Sequence, residues 1–292
     1  MADEWEYEEA TPEEKLRIAT HFMMKSPNGQ VQDVVTDLRK LIDNRSVLSD
    51  AHVDNVMRNY NEQQLFLAGD DSKVIIAEEA RVGADEYVDP ETGAVLKFDH
   101  VAQRVQSEST RRTSPGKHEA LRSGVQRAVQ DYASQMFTSG KYAVSVYDSP
   151  LQADELVVLV SAKNLNLRNY WCGGWRSRYT LSVARNGRTQ VKGIIRLQVH
   201  YFEDGNVQLN SQFERQEDVD VDSSDVDGTG KAVAAVIERI ESEFQESLEE
   251  FYVNMHDNTF KALRRILPVT RQHMDWRSAV HGIAADCASS AN

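Results

Sequence analysis

Apolar residues in the first sixty positions recur every three or four residues, and turn chemistry separates the runs. Thr11-Pro12-Glu13-Glu14 is a capping box with proline at the first helical position. It predicts a helix over 11–24 whose buried face holds Ile18, Phe22 and Met23. Ser26-Pro27-Asn28-Gly29 ends it. Val31, Val34, Val35, Leu38, Leu41 and Ile42 follow at helical spacing and predict a second helix over 30–44. Ser49-Asp50 starts a third, with Val53, Val56, Met57 and Tyr60 on one stripe. Connections this short favour antiparallel packing.

The period then shortens to two. Positions 73–77 are β-rich, and a turn at 89–93 precedes the alternation of 94–100. Positions 107–117 are polar and charged and read as a flexible loop. Helical spacing returns over 118–137 through Leu121, Val125, Ala128, Tyr132 and Met136. Strands follow at 142–147, 155–162, 169–184, 189–201 and 207–213, the second apolar enough to be covered on both faces. Asn186-Gly187 and Asp204-Gly205-Asn206 are hairpin turns, and connections this tight make the sheet an antiparallel meander. The acidic stretch 217–227 reads as a loop.

From Thr229 to Ile266 apolar residues recur without a break, so one helix of nearly forty residues runs to Pro268, which cannot continue it. It is about 55 Å long. Five to seven strands span only roughly 25–35 Å. The mismatch predicts that another chain completes the sheet. The fold class is therefore α+β. It comprises an N-terminal antiparallel helical bundle (1–65), a β-hairpin region and loop (66–116), a helix and antiparallel sheet (117–228), the long helix (229–267) and a short amphipathic tail (268–292). All belong to one compact subunit.

Charge is segregated along this layout. The chain carries −13, yet residues 257–277 hold five Lys/Arg against two Asp/Glu. This end is where an acidic partner would be met. Helix-end charges that complement the dipole explain one or two of these cations, but not Arg271 and Arg277 beyond Pro268, nor the apolar Met274, Trp276, Val280 and Ile283. A basic amphipathic tail reads as a partner-binding helix, with a calmodulin target or a lipid-binding segment as the generic alternatives. The acidic body argues against nucleic acid as a partner. The first residues are acidic where a targeting segment would be basic, and no apolar run is long enough to span a membrane. The expectation is a cytosolic protein with two free thiols, Cys172 and Cys287.

Candidate chemistry is thin. Gly228-Thr229-Gly230-Lys231-Ala232 lacks the first glycine and the hydroxyl of a phosphate loop. Positions 223–234 lack the first and last ligands of a calcium loop, since Ser223 and Ala234 stand there. The histidines show no metal-ligand spacing. No cofactor and no enzyme activity are expected. Asn169-Tyr170-Trp171-Cys172-Gly173-Gly174-Trp175-Arg176-Ser177 reads as sheet core with a bulge at the glycines rather than as a ligand site.

The chain resembles the alpha subunit of the heterodimeric F-actin capping protein over nearly its whole length. The resemblance rests on Lys15-Leu16-Arg17-Ile18-Ala19, on Lys97-Phe98-Asp99-His100, on the 169–177 block, and above all on Phe260-Lys261-Ala262-Leu263-Arg264-Arg265-Ile266-Leu267-Pro268-Val269-Thr270-Arg271. Cys172 and Gly174 depart from the family pattern, where asparagine and arginine are usual. The resemblance implies an obligate heterodimer with a beta subunit, whose sheet joins this one. It implies calcium-independent capping of actin filament barbed ends and a place in the cytoplasmic, actin-rich cortex. The implied actin-binding residues are Lys261, Arg264, Arg265 and Arg271, with Trp276 as the apolar anchor of a mobile tail. Acidic phosphoinositides are expected to compete for the same surface. The stretch after His281 is small and polar, with fewer basic and large apolar residues than the family implies. It motivates a second expectation, a scaffold or phosphoinositide-regulated adaptor that keeps the fold without capping.

Overall fold

The computed structural model describes residues 9–69, 74–110, 116–183, 187–203 and 206–254. The chain divides into two compact units, residues 1–240 and 241–292.

Helix α1 (Pro12–Lys25) begins on the capping box. Thr11 Oγ1 accepts from the Glu14 amide at 3.2 Å, and the Glu14 carboxylate accepts from the Thr11 amide at 2.9 Å. Thr11→Ala removes one half of this exchange and is expected to lower stability by about 1 kcal/mol in chemical denaturation. Helices α2 (Val31–Leu41) and α3 (Asp50–Gln63) follow. Ser49 Oγ caps α3 by accepting from the His52 amide at 3.2 Å. Ala19, Met23, Val31, Val35, Leu38, Val53, Val56, Met57 and Tyr60 form one cluster. Ile18 and Phe22, expected inside, are 43% and 55% exposed. Two i,i+4 rows lie side by side on α1. The row Ala19–Met23 faces the cluster, and Ile18–Phe22 lies one residue round the helix. Leu41, the last residue of α2, is also exposed.

Strands β1 (Phe66–Leu67) and β2 (Ile75–Ile76) pair with each other. Strands β3 (Glu86–Val88), β4 (Ala94–Asp99) and β5 (Arg104–Thr110) make a three-stranded antiparallel sheet. The flexible loop expected from position 107 is in part a strand: Ser107 and Ser109 of β5 pair with Lys97 and Val95. Ladder hydrogen bonds hold β5 although most of its side chains are exposed. Polarity of composition is therefore no guide to it.

Helix α4 (Glu119–Met136) leads into the main sheet. Its strands are β6 (Lys141–Asp148), β7 (Glu155–Asn166), β8 (Trp171–Ser182), β9 (Gly187–Tyr201) and β10 (Val207–Val221). They lie side by side in chain order, all antiparallel, as the meander reading expects. β7 is buried from Leu156 through Ala162, so both its faces are covered. The expected bulge at Gly173-Gly174 is absent. Gly173 pairs with Asn164 and Gly174 with Lys163 in unbroken register. A Cβ at Gly174 would strike the Asn28 amide, so this glycine makes room for the turn after α1.

Two boundaries shift. β10 runs on through the acidic stretch to Val221, with Val219 and Val221 buried between exposed Asp218 and Asp220. Helix α5 (Val226–Asn254) starts three residues before Thr229. Asp225 Oδ1 accepts from the Gly228 amide at 2.9 Å and serves as its cap. The described part of α5 holds 29 residues, about 44 Å of helix. The rest of the expected helix, to Pro268, lies outside the described residues.

Candidate functional site

The two edges of the main sheet are treated differently. At β6 the outer backbone groups are occupied. Gln126 of α4 donates from Nε2 to the Val144 carbonyl at 2.8 Å and accepts from the Val146 amide at 2.7 Å. Arg122 donates to the Val146 carbonyl at 3.2 Å. A long polar side chain every turn of α4 thus closes this edge. At β10 no described strand lies on the outer side. β10 pairs with β9 along all fifteen residues, yet no residue from Val207 to Asp218 is buried. Leu209 and Phe213, facing the same way, are only half-covered. A long strand held by one described neighbour, with no buried residue from Val207 to Asp218, has the geometry that strand addition uses.

The residues that sequence marks for partner binding, Lys261, Arg264, Arg265, Arg271 and Trp276, lie outside the described residues. So does Cys287. Within the second unit, Phe251, Tyr252 and Val253 are exposed on the last described turn of α5.

A second polar constellation lies beneath the Lys97–His100 motif. Tyr87 donates to Glu62 Oε1 at 2.7 Å, and Glu62 pairs with the Arg81 guanidinium at 3.2 Å. His100 Nε2 lies 3.3 Å from the Tyr87 hydroxyl, and its Nδ1 accepts from the Asn61 amide at 3.3 Å. Gln103 in turn donates to Asn61 Oδ1 at 2.8 Å. This arrangement fits a neutral ring with its proton on Nε2. Burial, then the Arg58 guanidinium, holds the His100 pKa below its ordinary value against Asp85, Asp54 and Asp99. The unfolded chain therefore takes up the proton more readily than the folded one. Stability is full above the ordinary imidazole value of about 6.5 and falls as pH drops below it. Denaturation midpoints should be lower at pH 5 than at pH 7, and His100→Gln should shrink that difference. The network ties α3 to β3 and β4, and its partners are other side chains of this chain. It is a structural joint.

Cys172 is buried in β8, and burial pushes its thiol pKa up, so it is a core residue and not a nucleophile. No helix among the described residues is long and apolar enough to cross a membrane.

Comparison with known proteins places this architecture. The fold is a mixed α+β arrangement with antiparallel sheets, one edge closed by a helix and the other open. The family model for the F-actin capping protein alpha subunit matches residues 19–285, and the chain belongs to that family. An F-actin-capping protein subunit alpha from Chaetomium thermophilum is 32% identical over 270 residues, covering 91% of this chain and 93% of its own. The Caenorhabditis elegans protein of the same name is 32% identical over 276 residues, covering 93% and 96%. A solved structure of a homodimeric actin capping protein alpha subunit from Plasmodium berghei superposes with a TM-score of 0.73. It covers 89% of this chain and 99% of its own at 21% identity, which bears on the fold.

Proposed function

We propose that this chain is one subunit of a dimer that caps the barbed end of actin filaments and blocks subunit addition and loss there. The family match over residues 19–285 carries the capping reading. The open edge at β10 supports the dimer: a beta subunit adds its own edge strand, and the shared sheet becomes wide enough for a helix of more than 40 Å. Lys261, Arg264, Arg265 and Arg271 form the basic surface that meets actin, and Trp276 anchors the apolar face of the tail. Acidic phosphoinositides compete for the same cations. Capping needs no calcium, and the protein works at the actin-rich cortex.

Seeded actin elongation tests this with the chain co-expressed with a beta subunit. Inhibition of equal strength in calcium and in excess chelator is the expected result. Undiminished elongation with a well-folded dimer would instead favour the adaptor that keeps the fold without capping.

A further inference from the structure

A groove of about 920 Å³ lies on the face of the main sheet away from α4. Trp175 of β8 faces Phe137, the residue that follows α4, with ring centroids 6.2 Å apart, and Tyr179 lies on the same face of the strand. Alternation sends Arg176 and Arg178 to the other side. There Arg176 is the in-register neighbour of Arg196 on β9. Like charges directly opposite in a sheet repel.

These two arginines differ from Arg178 and Arg81, which also line the groove, and the exposed Lys25 at its rim adds a further positive charge. Arg178 is paired with Glu79 at 2.5 Å, and Arg81 with Glu62 at 3.2 Å. Arg176 and Arg196 make no salt bridge with any described residue. Arg176 donates to Gln64 Oε1, and Arg196 donates to Gln212 Oε1 at 3.0 Å. Both acceptors are neutral amides. Arg176 is half-buried, and its buried Nε–H has no acceptor among the described residues; the buried Gln198 Oε1 beside them has no donor there. Burial, with the Arg196 charge acting alongside it, pulls the Arg176 pKa down to about 10, while Tyr60 acts in the opposite direction. A buried cation without a counter-charge is costly. Of the carboxylates lining the groove, Glu62 is engaged by Arg81, and Glu78 is exposed. This uncompensated positive pair sits in a chain of net charge −13.

We propose that the groove is a binding site for a small phosphate-bearing molecule, held between Arg176 and Arg196. Two unneutralised guanidinium groups call for a dianion. A phosphate monoester carries two charges and three terminal oxygens, enough to engage both guanidinium forks, whereas a single carboxylate carries one charge and two oxygens. Neutral amides and hydroxyls around the pair, Gln64, Gln198, Asn210 and Ser211 among them, provide donors and acceptors for the rest of the molecule. Neither arginine belongs to the basic segment at 261–271, and the in-register pair becomes evident only when β8 and β9 are aligned.

Thermal denaturation of the full chain, in the oligomeric state in which it is purified, provides the test. Inorganic phosphate is titrated at pH 8 and constant ionic strength, with chloride and succinate as controls. The expected result is a saturable rise in Tm with phosphate that neither control reproduces. Arg196→Gln, an exposed position, should weaken the apparent affinity at least tenfold, and Arg176→Met should abolish the shift. Arg188→Gln, in an exposed ion pair elsewhere on β9, should leave it unchanged. The proposal is overturned if the wild type shows no saturable shift, if succinate matches phosphate, or if Arg196→Gln titrates like the wild type. Should Arg176→Met fail to fold, Arg196→Gln alone decides.

Discussion

Replacing Lys261, Arg265 and Arg271 together by alanine is expected to slow barbed-end capping by about 100-fold while leaving the dimer folded. The chain is strongly acidic and so is actin, so their long-range interaction is repulsive. A local basic surface must overcome it at one orientation. In the proposed site these three cations belong to that surface, and their loss is expected to act first on the association rate, where complementary charge has its largest influence. The residual rate should also lose much of its salt dependence, because the charges that salt would screen are gone. Stopped-flow or single-filament capping kinetics at two ionic strengths checks both. Wild-type association rates in a triple variant with an unchanged melting temperature would remove these residues from the site.

Gly230→Ala should destabilise the chain by about 2 kcal/mol, although alanine is the better helix former by about 1 kcal/mol. Gly230 of α5 crosses Gly124 of α4 within the first unit. A Cβ on Gly230 would lie 2.6 Å from the Gly124 carbonyl oxygen, and one on Gly124 would strike Val226. The obstacle is backbone, so no rotamer change relieves it and the helices must part. Gly173→Ala is the control: its nearest contact would be 4.0 Å away, in ordinary van der Waals range. Urea denaturation distinguishes the two. A stabilised Gly230→Ala variant would mean that propensity outweighs the helix contact.

The elements that could be read from sequence are those where one short-range signal decides. The Thr11 box and the Ser49 cap are of this kind; residues 186, 204 and 205 of the expected hairpin turns lie outside the described residues. What could not be read depended on neighbours distant in the chain. Periodicity marks two adjacent rows on α1 but not which of them meets α3, so Ile18 and Phe22 were expected inside and lie outside. Charge density hid β5 and the end of β10, because a ladder hydrogen bond needs only backbone. Val219 and Val221, spaced by two among aspartates, were the available signal. Gly173 and Gly174 suggested a bulge, whereas Gly174 accommodates Asn28, 146 positions away. Arg176 and Arg196 are twenty positions apart and become a pair only through the register of β8 and β9. The basic segment at 261–271 is legible as charge, and its assignment to actin rests on family membership.

Single-filament microscopy of actin elongating from seeds, with the chain and a beta subunit added together, follows capping at each filament end separately. Barbed ends are expected to stop growing and shrinking while pointed ends are unaffected, and the chain without a partner strand on β10 is expected not to arrest growth. Barbed ends that keep elongating at the control rate in the presence of a folded, stoichiometric dimer would contradict the capping function.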